Sequence, residues 1–152
     1  MPAPAIREIS VEETYPLRHI VLRPGQPPES YHFPADHERD TFHLGAVIGT
    51  EVVSIATFLR RSHELFEIGS QYQLRGMATH PAFRGRGLGA AIIRSGLQLL
   101  QERSVELLWC NARVPACEFY LKSGFHVNGE QFEIPLSGPH LVMWRAIAER
   151  VK

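Results

Sequence analysis

A glycine- and arginine-rich turn, Arg84-Gly85-Arg86-Gly87-Leu88-Gly89, does most to limit what this chain can fold into. An extended run ends just before it at Thr79, and a helical pattern follows over Gly87–Glu102, with Ile93, Leu97 and Leu100 on one stripe. Glycine bends the backbone tightly and leaves bare N–H groups open to a ligand. A helix N-terminus adds unpaired N–H donors and a partial positive charge. Two arginines beside both make an anion cradle, suited above all to a pyrophosphate. A solvated turn without a ligand is the plain alternative. A Walker loop would need Gly-Lys-Ser/Thr at the helix start, which is missing. Gly85, Gly87 and Ala90 formally fit a dinucleotide fingerprint. That motif follows its strand directly and sits in a sheet needing about twice the chain available here.

The flanking sequence divides into short elements. Ala5–Ile9 reads as a first strand, and Ser10 with Glu13 as a capping box for a helix carrying Leu17, Ile20 and Val21. Arg23-Pro24-Gly25-Gln26-Pro27-Pro28 ends that helix, and Glu29–Asp40 is a long polar loop of the kind that often serves function. Thr41–Ile48 and Glu51–Leu59 form a hairpin across Gly49-Thr50. Ser70–Thr79 is a further strand in which Tyr72, Leu74 and Ala78 share a face, and Gly76 marks a bulge or a close backbone approach. Val105–Cys110 reads as a buried strand, Pro115–Ser123 as a short helix stopped by Gly124, and Phe125–Ile134 with Leu141–Ala146 as two last strands across Pro135–Pro139. The order implies an α/β or α+β layer with a central sheet covered by helices.

At 152 residues the chain is expected to form one domain, 1–152. Sixteen Lys and Arg balance sixteen Asp and Glu, so no field favours nucleic acid. The balance hides a split: residues 1–76 carry seven basic and ten acidic side chains, residues 77–152 nine and six. All the basic residues but Lys122 and Lys152 are Arg, the better fork for phosphate or carboxylate. No apolar run is long enough for a membrane, and Met1–Glu8 has no signal core, so the expected place is the cytoplasm. Cys110 and Cys117 are expected to be reduced, and Cys110 or Cys117 is more naturally a small buried residue than a nucleophile. His32, His37 and His43, interleaved with Asp36, Glu38 and Asp40, match no metal-ligand spacing, so no metal is expected. A homodimer is the commonest soluble assembly.

Arg84-x-x-Gly87-x-Gly89 resembles the acetyl-coenzyme A signature of the GNAT superfamily of N-acetyltransferases, in its small, poorly assigned bacterial branch. Leu74-Arg75-Gly76-Met77-Ala78-Thr79-His80-Pro81 looks like the strand and exit before that signature. Asn111 through Phe125, with Ala116-x-x-Phe119-Tyr120-x-Lys122-x-Gly124-Phe125, looks like the second cofactor-contacting segment. The Asn111-Ala112-Arg113 exit and Gly138-Pro139-His140 fit the same branch. The resemblance implies a mixed, mostly antiparallel twisted sheet of about six to seven strands, flanked by helices and splayed between the fourth and fifth. It also implies acetyl-coenzyme A as cofactor and an amine of a small molecule or peptide as acceptor, attacked directly in a ternary complex. A non-catalytic acyl-coenzyme A sensor on the same fold is the rival, and an acid at Tyr120 discriminates against it.

On this resemblance Met77, Ala78 and Thr79 pair with the cofactor arm and offer oxyanion donors, while Arg84, Gly85, Arg86, Gly87, Leu88, Gly89 and Ala90 hold the pyrophosphate. Asn111, Tyr120 and Lys122 complete the cofactor site. Tyr120, a phenol with an ordinary pKa near 10, is the candidate general acid. No Glu lies in Ser70–Thr79 to act as base, so His140 is the better candidate, with a water or the neutral fraction of the amine as alternatives. Tyr31, His32, Phe33 and Asp36 belong to the segment that covers the acceptor in this family. Gln73 could orient a water, and Arg75 and Arg113 either pair internally or take an acceptor carboxylate.

Overall fold

The computed structural model describes residues 3–147; Met1, Pro2 and residues 148–152, with Lys152 among them, lie outside the described residues. Seven strands hydrogen-bond in the order β1-β2-β3-β4-β5-β7-β6. They are β1 (Ala5–Ile9), β2 (Phe42–Ile48), β3 (Glu51–Arg60), β4 (Gln71–Thr79), β5 (Leu107–Arg113), β6 (His126–Ile134) and β7 (Gly138–Ala146). The ladders β1/β2, β2/β3, β5/β7 and β6/β7 are antiparallel, and β4/β5 is parallel. Helices flank this mixed sheet, and none of the described helices is long and apolar enough to cross a membrane. The contacts fall into two compact units, one made of residues up to Arg60 with Leu74–Gly96, the other of Arg61–Gln73 with the residues from Leu97 onward.

In the first unit the capping box forms as expected. The Ser10 N–H donates to Glu13 Oε1 at 3.0 Å and the Glu13 N–H to Ser10 Oγ at 3.3 Å. The helix beyond it is not regular. A 3-10 turn (Glu12–Thr14) leads into α1 (Tyr15–Leu17) and then a π-turn, Arg18–Leu22, closed by the Arg23 N–H on the Arg18 carbonyl at 2.9 Å. The wider turn rotates the residues that follow. Leu17 is buried as expected, but Ile20 is half exposed and Arg18 takes an inward position with no exposed surface. Ile9, Leu17, Ile55 and Ala78 form a core with Val21, Leu22 and Val52 packed on it. The loop to β2 is two 3-10 turns, Pro28–Ser30 and Pro34–His37. The Gly49-Thr50 hairpin is present, with a register shift at Ala46/Val47.

Helix α2 (Leu88–Glu102) starts one residue later than expected. Within this unit it buries Leu88, Ile92 and Ile93, and Gly96 lies directly on the Phe58 ring. Phe58 has nowhere to go, being fully buried and stacked on Phe42 at 4.9 Å between centroids.

In the second unit β4 contributes Gln71, Tyr72 and Gln73, which pair with Leu107, Leu108 and Trp109. Buried Gln71 is fully used. Its Nε2 donates to the carbonyls of Phe66 and Ile68 at 3.2 and 2.7 Å, and its Oε1 accepts the His63 N–H at 2.8 Å. It thereby pins the loop before β4. Strand β5 starts at Leu107 rather than Val105, because Val105 caps the α2 end through its N–H on the Leu100 carbonyl. A 3-10 turn (Val114–Ala116) precedes α3 (Cys117–Lys122), and β7 takes in Gly138 and Pro139, shortening the last turn.

A methyl group at position 96 would overlap a ring that cannot rotate away. Gly96→Ala is expected to cost about 1–3 kcal/mol despite its better helix propensity. Gly69→Ala, where a Cβ meets nothing within 4 Å, is expected to stay within about 0.5 kcal/mol of the parent. Urea unfolding of the two variants checks both values.

Candidate active site

Two arrangements hold the candidate residues, one in each unit. In the first, β4 leaves the sheet through a pinned exit. The His80 N–H donates to the Val53 carbonyl at 2.8 Å, and Ser54 Oγ lies 2.7 Å from Thr79 Oγ1. His80 then caps the turn Pro81–Phe83, its Nδ1 accepting the Ala82 N–H at 3.1 Å. The chain crosses Arg84–Gly87 and enters α2, whose first bond runs from the Ala91 N–H to the Gly87 carbonyl at 3.0 Å. Gly85 and Gly87 have φ of 78° and 74°, and a Cβ on either would meet nothing within 4 Å. The turn is left-handed, exposed and open, with Arg84 and Arg86 exposed beside it. The Arg86 guanidinium carbon lies 5.0 Å from the Phe83 ring centroid, which directs the charge by a cation–π contact. Bare amides, a helix start and two guanidiniums suit a pyrophosphate. The residues present fit the phosphate end of coenzyme A.

The acceptor candidates of this unit differ in accessibility. His32 is exposed, stacked on Tyr15 at 4.0 Å, and half-buried Tyr31 stacks on His19 at 5.1 Å. Phe33 and Asp36 are buried. Asp36 faces Arg18, with Arg18 Nη1 donating to Asp36 Oδ2 at 2.7 Å and Nη2 to Oδ1 at 2.9 Å. Burial pushes the Asp36 carboxyl up, but the Arg18 guanidinium and the Phe33 N–H outweigh it and hold it below the usual carboxylate range. Arg18 Nη2 also donates to Thr57 Oγ1 at 2.7 Å, and that hydroxyl lies 2.8 Å from His43 Nδ1. Burial pushes the His43 imidazole below its ordinary value, ahead of the opposing pull of Asp36. Arg75, half-buried on β4, lies with its guanidinium carbon 4.0 Å from the Phe33 centroid. Met77 and Thr79 are half-buried and Ala78 buried.

In the second unit Tyr120 is buried on α3 between Phe119 and Phe125, both edge-on at 5.1 and 5.4 Å. Burial, then the neighbouring Cys110 and Cys117, push its phenol well above its ordinary value, so it stays protonated. Cys110 is likewise held protonated by burial. Asn111 and Arg113 are exposed at the end of β5, with Arg113 opposite His140 in the ladder. His140 is 4% exposed; its Nδ1 lies 2.7 Å from the Gly138 carbonyl and its Nε2 3.5 Å from Ser137 Oγ. A carbonyl only accepts, so Nδ1 is the donor of that bond. Lys122 makes an exposed ion pair with Glu118 at 3.5 Å, and Gln73 is half-buried on β4.

Sequence reading passed over Arg18 and weighed His43 only as a metal ligand. The available signal was the spacing of Thr14, Leu17, Arg18 and Val21, which puts an arginine on an apolar helical face.

Fold and turn together define an acetyl-coenzyme A-dependent acyltransferase. Residues 4–125 match the acetyltransferase (GNAT) family, and the chain belongs to it. It is 39% identical over 142 residues to YitI of Bacillus subtilis strain 168, named an uncharacterised N-acetyltransferase, covering 93% of this chain and 95% of that protein. Its fold is that of an aminoglycoside 6'-N-acetyltransferase in complex with coenzyme A, at TM-score 0.73 and 13% identity, covering 97% and 99% of the two chains. Escherichia coli ElaA has it too, at TM-score 0.77 and 19% identity, covering 94% and 99%. The chain is an acetyltransferase that uses acetyl-coenzyme A.

Two outcomes follow from this geometry. Gly87→Val forces the turn out of its left-handed shape, and restoring it on binding costs about 1–2 kcal/mol, roughly tenfold in acetyl-coenzyme A Kd by calorimetry. Unfolded His43 takes up a proton near pH 6.5 whereas folded His43 resists until lower pH, so the unfolded state binds more protons there. Stability is therefore expected to fall as pH drops below about 6.5, and His43→Gln to flatten that slope in thermal melts.

Proposed function

We propose that this single N-acetyltransferase domain moves the acetyl group of acetyl-coenzyme A to a primary amine of a small molecule or peptide, by direct attack in a ternary complex. The observation that carries the reading is the left-handed, open turn at Gly85 and Gly87, beside two exposed arginines at the start of α2. Bound there, acetyl-coenzyme A supplies an activated thioester. Arg84, Arg86 and the amides of Gly85–Ala90 hold its pyrophosphate, with Asn111 and Lys122 as further contacts. The edge of Met77–Thr79 pairs with its amide arm and directs N–H groups at the developing oxyanion.

Tyr120 is the general acid: a phenol kept protonated by burial donates to a departing thiolate without prior proton uptake. His140 is assigned as the base, with its Nδ1 fixed as the donor to the Gly138 carbonyl and its Nε2 as the nitrogen turned to the amine. Tyr31, His32, Phe33, Asp36, Gln73, Arg75 and Arg113 are assigned to the acceptor side.

The test follows thiol release from acetyl-coenzyme A with polyamines, amino acids, aminoglycosides and short peptides. At least one class is expected to react. Tight cofactor binding without turnover on any class would instead identify a sensor. With a reacting amine, Tyr120→Phe is expected to lower kcat by about 10²-fold or more while leaving acetyl-coenzyme A affinity within about twofold. Unchanged turnover would remove Tyr120 from the acid role.

A further inference from the structure

The best-built polar cluster in the first unit belongs to none of the cofactor residues. Arg18 has no exposed surface, and four of its hydrogen bonds are directed. They go to the Tyr31 carbonyl at 2.9 Å, both Asp36 oxygens at 2.7 and 2.9 Å, and Thr57 Oγ1 at 2.7 Å. Its Nε has no acceptor among the described residues and faces Gly76, where a Cβ would come within 3.5 Å of it. The same Cβ would meet Phe33 at 3.3 Å, and Gly76 has φ of 63°. Gly76 is thus required twice, for its left-handed backbone and for the space it leaves. The guanidinium carbons of Arg18 and Arg75 each lie 4.0 Å from the Phe33 centroid. A flat ring offers two faces, and two guanidiniums at that distance take one each.

A buried ion pair is poor evidence of a need for stability, because apolar residues of like volume often serve as well. What it does supply is geometry. One fork-shaped cation fixes a carbonyl at Tyr31, a carboxylate at Asp36, a hydroxyl on β3 and the ring of Phe33 against β4. We infer that Arg18 is a positioning residue for the acceptor. It fastens Tyr31–Asp36 to β3 and β4 and, through Phe33, sets the direction of the Arg75 guanidinium. This rests on the reading above that Tyr31–Asp36 faces the acceptor.

The experiment compares wild type with Arg18→Met, Arg18→Lys and Thr57→Val by three measurements. They are acetyl-coenzyme A Kd by calorimetry, amide exchange over residues 31–37, and the kinetics of a reacting amine from the panel. In Arg18→Met the amine KM is expected to rise at least about tenfold with a smaller change in kcat, exchange over 31–37 to quicken about tenfold or more, and Kd to stay within about twofold. Arg18→Lys, which keeps the charge but loses the fork, is expected to fall between. An unchanged amine KM, or a loss of acetyl-coenzyme A affinity in step with it, overturns the proposal. If Arg18→Met does not fold, Thr57→Val is judged by the same three readouts and the same outcomes. If wild type acetylates nothing in the panel, the transferase reading has failed on its own. Exchange at 31–37 then decides the fastening: unchanged overturns it, faster supports it.

Discussion

A guanidinium with no exposed surface is the constraint around which the first unit is organised. An unpaired charge there would be costly by several kcal/mol, so each surrounding element must bring a matching group. Arg18 points inward at the start of the π-turn, the second 3-10 turn presents Asp36, β3 supplies Thr57, and β4 gives way at Gly76. With Asp36 held below the usual carboxylate range and His43 kept neutral by burial, the cluster carries one positive and one negative charge. Its neutrality lets it be dry.

The two sets of chemical groups follow opposite strategies. The proposed phosphate cradle is exposed and built from backbone, where donors gain strength from a shared helix end rather than from burial. Tyr120 is buried among aromatic rings, where desolvation disfavours the phenolate. An anion that arrives from water needs an open landing place. The acid proposed at Tyr120, which would hold its proton until a thiolate forms, needs the reverse. A net charge of zero for the whole chain agrees with this, because the anion is met by two local arginines instead of a general field.

Most of the fold was legible because it is written in local chemistry. The strand limits at Gly49-Thr50, the capping box at Ser10 and Glu13, and the start of α2 after Gly87 each depend on residues next to one another in sequence. Gly76 was marked as a close approach, although its neighbours Arg18 and Phe33 were not foreseeable. What escaped was long-range. The Arg18 to Thr57 bond spans 39 residues, and nothing in either local pattern announces the other. Ile20 was assigned to the core because a helical period of 3.6 was assumed through a segment that widens into a π-turn. Arginine was sought as the buried charge at Arg75, on a strand, whereas the fully buried one lies in the helix before it.

The absence of a glutamate from Gln71–Thr79 shifts the base question from residue type to tautomer. A neutral histidine in solution can carry its proton on either ring nitrogen, and the hydrogen bond made by one nitrogen sets which. At His140 the Gly138 carbonyl, 2.7 Å from Nδ1, removes that choice. The turn that achieves this is short because Gly138 and Pro139 are drawn into β7, which brings residue 138 back against the ring of residue 140.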